Sequence, residues 1–581
     1  MAVGSATAET PPETPDHSGA YPRLTPEQLD VLARRGERRR ASAGEVLFRE
    51  GRTCEEFLAV VSGLVEVVHD HGGADERTVA VHGPGRFLGE LGLLEDQAAF
   101  DTAIVREPGE VLAVPVQRQR ELIARDPVLG DLVLRAYLGR RQLLIGMGAG
   151  FRILGSSFSP QTRQLREFAV RNRLPHRWTD LERDRESEAL LRRFSIRPEE
   201  TPVVIWQGQQ VLRNPGPASL ARLVGLPAPA RDVTECQLLV VGAGPAGLAS
   251  AVYGASDGFS TVIVDNLATG GQAASSARIE NYLGFPSGIS GGELMDRSVL
   301  QARKFGAQIT LPLEAAGLAQ RDGQCAVHFT DGTTIRARAV VLAQGVRYRR
   351  LRAPGVERLE GHSVFYAATL HEAQTCGTDP VAIVGGGNSA GQAALFLAEY
   401  ASEVRLLVRS GFLDKDMSRY LVDQVERHPK IDVLLHSEVH RATGEDVLRS
   451  VEVRDTVTGR LGEIPARALF VFIGARPHTE WLASALALDS RGFVLTGTAA
   501  AAAAETGPEG PWAPLGRRPL MLETTQPGVF AAGDVRSGSV KRVASAAGEG
   551  AMAIRLLHEH LAQEGNLVRT PAADAHQPAT G

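Results

Sequence analysis

Two six-residue glycine turns, each set between an apolar run and a helix-compatible segment, restrict this chain more than any other feature. The first, Gly242-Ala243-Gly244-Pro245-Ala246-Gly247, follows Leu238-Leu239-Val240-Val241 and leads into Leu248-Ala249-Ser250-Ala251-Val252-Tyr253. A short β-branched apolar run of this kind reads as a buried parallel strand. The glycines at its exit then meet three needs: a tight turn, close backbone approach to a pyrophosphate, and close packing of helix on strand. The next strand, Thr261-Val262-Ile263-Val264, ends in Asp265, where an acid accepts from ribose hydroxyls. The second turn, Gly385-Gly386-Gly387-Asn388-Ser389-Ala390, lies between Val381-Ala382-Ile383-Val384 and Gly391-Gln392-Ala393-Ala394-Leu395-Phe396-Leu397. Here the following strand, Val404-Arg405-Leu406-Leu407-Val408, ends in Arg409, which suits a 2′-phosphate and favours NADPH over NADH. One such turn is a weak signal, but two in the same strand-turn-helix context imply two dinucleotide sites.

Further segments extend the pattern. They are Gly270-Gly271-Gln272, Ile279-Glu280-Asn281-Tyr282, Val471-Phe472-Ile473-Gly474, Val529-Phe530-Ala531-Ala532-Gly533-Asp534 and the stretch from Lys541-Arg542-Val543-Ala544 to Gly550. With these, the chain from about Cys236 to its last helix resembles the low-molecular-weight thioredoxin reductases. The resemblance implies two Rossmann-like α/β domains, an FAD domain interrupted by an inserted NADPH domain, and a homodimer. It assigns cofactor contacts to Gly242, Gly244, Pro245, Ala246, Gly247 and Asp265, and to Gly385, Gly387, Asn388, Ser389, Ala390 and Arg409. Gly271, Gln272 and Asn281 match flavin-contacting segments, and Gly345 joins the cofactor contacts. Gly474 matches the return crossing from the NADPH domain. Gly533 and Asp534 match the late motif at the ribityl and phosphate region. Arg542 and Ala544 match the stretch along the flavin ring, although Val543 stands where the family has glutamine. No catalytic acid or base and no metal ligand is named.

The departures bear on function. Where thioredoxin reductases read C-A-T-C before the second turn, this chain reads Ala367-Ala368-Thr369-Leu370. Its four cysteines, Cys54, Cys236, Cys325 and Cys376, form no C-x-x-C pair. Reducing an external disulfide needs one thiolate to attack and a second to resolve the mixed disulfide. Cys376, close after Leu370, is either a lone nucleophile or a small buried hydrophobe. The family's H-R-R is here Val408-Arg409-Ser410, with Lys415 and Arg419 nearby.

A chain of 581 residues has room for further domains at roughly 150 residues each. From Leu24 to about Arg141, short alternating strands broken by glycines predict a β-barrel or jelly roll. With Phe87-Leu88-Gly89-Glu90-Leu91-Gly92-Leu93-Leu94 it resembles a cyclic nucleotide-binding domain. Gly89 and Glu90 match the phosphate cassette, but its arginine position falls on Ala99 or Phe100, so a phosphate would lose its bidentate partner. A cyclic nucleotide therefore stays open beside a barrel kept for dimerisation or for holding the reductase. The basic run 34–40 reads as a solvated helix end, and His69-Asp70-His71 as a polar hairpin tip rather than a metal site. Residues 151–230 alternate strand and helix. Thr201-Pro202 there resembles the cis-proline element of thioredoxin-like and glutaredoxin-like folds, with Ser159-Pro160-Gln161-Thr162 in the place of the cysteines.

The expected order is 1–22 disordered, 23–150 cyclic nucleotide-binding-like, 151–230 thioredoxin-like without cysteines and 235–352 the first part of the FAD domain. Then follow 353–478 for NADPH, 479–564 for the rest of the FAD domain with a low-complexity insertion at 498–518, and a loose tail over 565–581. A net charge of −5, scattered cysteines and no signal or membrane-length apolar stretch predict a cytoplasmic protein engaging neither nucleic acid nor membrane. Three functions remain open: an NAD(P)H oxidoreductase passing electrons through FAD to a small molecule or redox protein, a thioredoxin reductase working through Cys376, and a flavin-based sensor.

Overall fold

The computed structural model describes residues 12–569, apart from 17, 74, 90, 95–96, 183, 185–190, 193, 207–209, 227–233, 277, 322, 361–362, 367, 369–371, 374–375, 416, 446 and 505–510. The chain divides into two compact units. One is Met1–Val233 with Asn266–Ala268 and Ile309–Leu313, and the other is Thr234–Asp265, Thr269–Gln308 and Glu314–Gly581.

In the first unit an antiparallel sheet orders Glu37–Ala41, Thr102–Pro115, Glu56–His69 and Arg77–His82, with Val46–Phe48 also pairing on Thr102–Pro115. The two long strands shift register between Val60 and Val65. Gly109 permits this, because a Cβ there would lie 2.0 Å from the Ser62 carbonyl oxygen. Asp126 caps the long helix Pro127–Met147 by accepting from the amides of Val128 and Leu129.

Three expectations change here. The basic run is not a helix end: the helix Pro26–Ala33 stops before it, and Glu37–Ala41 is an edge strand in which Arg39 pairs with Glu45 at 2.9 Å. Charge on an edge strand discourages pairing with other chains. His69 is not at a hairpin tip but 6 % exposed, its ring 3.5 Å from the Asp101 carboxylate. The turn begins at Asp70, which has φ 51°. The described part of 1–22 is not loose, because Ala20 and Tyr21 are buried, Thr14 exchanges backbone and side-chain hydrogen bonds with Val81, and Glu13 meets Arg86 at 2.9 Å. Residues 1–11 and 17 lie outside the described residues.

The segment after the barrel forms a four-stranded sheet in the order His176–Asp180, Phe151–Gly155, Val203–Trp206, Gln210–Arg213. The first pair is parallel and the others antiparallel, with the helix Pro160–Arg171 as the crossover. The Thr201-Pro202 bond is cis. Ser159 caps the helix by accepting from the Thr162 amide, and a Cβ on Gly155 would meet both Thr162 and Pro202. The strand-helix-strand order and the cis proline are thus both present, with the hydroxyls of Ser159 and Thr162 at the start of the helix.

In the second unit, Thr261–Val264, Glu235–Val241, Thr334–Leu342 and Val529–Ala531 lie side by side in parallel. A second parallel sheet orders Val364–Phe365, Ala468–Val471, Val381–Val384, Val404–Leu407 and Ile431–Leu434. Chain passes between the two sheets through Val346–Tyr348 and returns through Ala475–Pro477, and these short strands pair antiparallel. The described ends of the 498–518 stretch are packed: Trp512 is buried, and Arg517 meets Glu523 at 2.6 Å. The last helix, Val543–Arg569, runs past the expected start of the tail. Among the described residues no helix is long and apolar enough to cross a membrane, and no three His, Cys, Asp or Glu side chains gather as a metal site.

Candidate cofactor sites

The first turn sits where the topology makes a ligand site, at the carboxyl edge of a parallel sheet. Gly242 takes φ +109°, and a Cβ there would lie 2.4 Å from the Ala343 carbonyl oxygen at the exit of the neighbouring strand. Gly247 is equally restricted, since its Cβ would strike the Gly242 carbonyl oxygen at 1.8 Å. Gly244 is the N-cap of the helix Pro245–Ser256, whose first amides have no intrahelical acceptor and face an anion site. Beyond Gly244 lies only the backbone of Gly271, 3.8 Å from the Cβ direction, so two bare glycine backbones border the place a pyrophosphate would occupy. This cradle, which a Cβ on Gly271 would crowd at 3.0 Å from Gly244, fits FAD.

The other expected residues gather at the same edge. Asp265 accepts from the Ala243 amide at 2.9 Å, which ties it to the turn. Gln272 donates to the Val346 carbonyl just past Gly345, which takes φ +62° with open space beyond it. Gly533, from nearly 300 residues later, would place a Cβ 2.9 Å from that of Ala246, so the late motif is seated on the first turn. Burial raises the pKa of the Asp534 carboxyl. Arg542 immediately precedes the last helix and Ala544 lies exposed in its first turn. Asn281 is exposed on a turn.

Two contributors escaped the sequence reading. Glu549 accepts from the Gly533 amide at 2.7 Å and pairs with Arg536 at 2.5 Å, fixing the late motif. Gln344 donates to the His478 carbonyl while its Oε1 is buried without a partner, an acceptor left over beside the cofactor edge. Nothing in their own spacing marks either residue, though Gln344 adjoins Gly345.

The second turn repeats the geometry. Gly385 takes φ +145° and a Cβ would lie 2.4 Å from the Phe472 carbonyl oxygen, while Gly387 is the N-cap of Asn388–Ala398. Asn388 is engaged: its Oδ1 accepts from the Ser418 amide at 2.7 Å and hydroxyl at 2.8 Å. Ser389 is exposed and Ala390 buried. Arg409 lies exposed two residues past the end of Val404–Leu407. Gly474 takes φ +90° just before the return strand. Of the cyclic nucleotide residues, Gly89 takes φ +91° against Tyr137, and Glu90 lies outside the described residues.

The model for the pyridine nucleotide-disulphide oxidoreductase family matches residues 236–510, and that for the cyclic nucleotide-binding domain matches 38–126. The mitochondrial thioredoxin reductase 1 of Arabidopsis thaliana is 32% identical over 57% of this chain and 85% of its own length. The thioredoxin reductase of Eremothecium gossypii is 32% identical over 55% of this chain and 95% of its own. This chain belongs to the thioredoxin reductase family. The solved thioredoxin reductase of T. acidophilum agrees, with 27% identity, a TM-score of 0.50 and coverage of 57% of this chain and 99% of that one. As a family member the chain is an oxidoreductase whose cofactors are FAD and NADPH, fused to a cyclic nucleotide-binding domain.

The family's thiol chemistry finds little support in the four cysteines, all of which are free. Of the C-A-T-C counterpart only Ala368 is described, and it is buried. Cys376 is 5 % exposed within the apolar core under the second sheet, and burial pushes its thiol up to about 11. Burial likewise raises Cys54, pushes Cys236 up to about 12, and leaves Cys325 1 % exposed.

Proposed function

We propose that this thioredoxin reductase relative is an NADPH-dependent flavoprotein reductase that hands two electrons from the flavin to a separate acceptor, without a resident dithiol, and that its N-terminal half regulates turnover. Supporting this reading above all is Cys376, the one cysteine near the missing pair. Burial pushes its thiol up to about 11, so the nucleophilic thiolate is a minor form at neutral pH. Bound FAD supplies hydride acceptance and two-electron transfer. The protein's part is binding and orientation. The backbone of the Gly242–Gly247 turn and the Gly244–Gly271 cradle receive the pyrophosphate, and Asp265 and Asp534 border the same edge. Arg409 receives the 2′-phosphate of NADPH, and the paired crossings beside Gly345 and Gly474 carry the nicotinamide half toward the flavin. A homodimer completes the reading.

The test is an anaerobic titration of the yellow protein with NADPH and with NADH, followed by flavin bleaching, then by single additions of a quinone, oxygen or a small disulfide. Bleaching by NADPH at lower concentration than NADH, and reoxidation by an acceptor in a Cys376→Ala variant, are expected. Bleaching by neither donor ends the enzymatic reading, and disulfide turnover that disappears with Cys376 ends its thiol-free part.

A further inference from the structure

The barrel interior holds a buried cation that, among the described residues, no carboxylate touches. Arg140, on the inner side of Pro127–Met147, is 5 % exposed. Its Nε donates to the Ala20 carbonyl and its Nη1 to the Gly89 carbonyl, both at 2.7 Å, and its guanidinium lies 4.7 Å from the Phe87 ring centre. Its Nη2 has no partner, and among the described residues no carboxylate lies within ion-pair distance of it. Arg140 lines a cavity of about 50 Å³. His82 lines the same cavity, is 2 % exposed and leaves its Nδ1 unpartnered. Burial, with the charges of Arg140 and Arg86, keeps that imidazole neutral. The remaining wall is mostly apolar, with Phe48, Leu93, Ala99 and Phe100 among it, while Asp101 on the same wall faces His69 at 3.5 Å.

Resting on the reading that the N-terminal half regulates turnover, we propose that this cavity binds a short-chain carboxylic acid, its carboxylate on Arg140 Nη2 and its apolar body against Leu93 and Phe100. A charge-assisted hydrogen bond to a carboxylate would satisfy the spare donor and set an anion directly on the guanidinium, which water would not do. The cassette arginine of a cyclic nucleotide site is absent, Ala99 and Phe100 being cavity wall. Occupancy would be felt in the neighbouring four-stranded sheet, since the Phe100 ring stacks on Trp206 with centres 5.7 Å apart and Glu50 accepts from the Trp206 indole at 2.9 Å.

The experiment titrates the full chain with acetate, butyrate and pyruvate, with cyclic AMP and inorganic phosphate alongside, reading tryptophan fluorescence and heat of binding. Saturable binding of a short carboxylate in preference to cyclic AMP is expected. It should weaken roughly ten- to hundredfold in Arg140→Gln, the loss of one charged hydrogen bond. Because Arg140→Gln also releases two carbonyls, Ala99→Leu serves as a second variant that fills the cavity with Arg140 intact, and it too should lose binding. No carboxylate binding at high millimolar concentration, preferential binding of cyclic AMP, or unchanged binding in Ala99→Leu overturns the proposal. Bleaching of the parent flavin by NADPH is read separately. Normal bleaching without carboxylate binding ends this inference alone, whereas absent bleaching ends the enzymatic reading whatever the barrel binds.

Discussion

Glu50 offers the sharpest energetic prediction, because it is a carboxyl buried where the barrel meets the four-stranded sheet that carries Trp206. It accepts from the Trp206 indole at 2.9 Å and the Asp70 amide at 3.1 Å, and the His69 ring lies 4.0 Å away. Burial pushes it up from 4.5 to about 7, against the opposing influence of His69. A raised carboxyl holds its proton in the folded state after the unfolded chain has released it, so its contribution to stability is full below pH 4.5 and is lost as pH rises toward 7. At about 1.4 kcal/mol for each pH unit of difference, the loss comes to about 3 kcal/mol. His69 adds a slope of the same sign: burial lowers its pKa, but Asp101 and Glu50 outweigh that and raise it. Glu50→Gln cannot ionise and should lose most of the slope. Its lost contact with the Asp70 amide costs about 1 kcal/mol at every pH, so the test is the trend and not the offset. Hydrogen exchange of the amides in Glu56–His69, variant against parent from pH 5 to 8, reads local opening without interference from intrinsic exchange rates. The variant should gain on the parent as pH rises from 5 to about 7 and level off above it. A difference that does not change with pH refutes the assignment.

Other outcomes follow from the second unit. Gly385→Ala, at φ +145° with 2.4 Å to the Phe472 oxygen, should retain bound FAD, read by absorbance, yet lose bleaching by NADPH. Arg409→Gln should raise the KM for NADPH about tenfold or more while leaving that for NADH nearly unchanged, a split visible in steady-state kinetics. Cys376→Ala should cost about 1 kcal/mol in thermal unfolding, the loss of a small buried hydrophobe, with flavin-dependent turnover intact.

Both cofactor turns were legible in the sequence because their demands are local. A left-handed φ at Gly242 and Gly385, and backbone pressed on backbone at Gly247, admit little besides glycine, and the apolar runs before them admit little besides buried strands. The missing dithiol was legible for the same reason, as a substitution of residue types at adjacent positions. Other features depended on partners far away in the chain. Whether His69 sits at a tip or inside is decided by Asp101 and Glu50, and whether the basic run is helix end or edge strand is decided by its pairing with Thr102–Pro115. The segment around Tyr21 is polar and proline-rich in sequence, yet Arg140 and Val81 hold it down. Glu549 clamping Gly533, and Arg140 left with a spare donor inside the barrel, appear only once helices are docked. Backbone sterics and period-two burial act between neighbours and can be read from spacing, while burial of charge is a property of what the rest of the chain brings to the site.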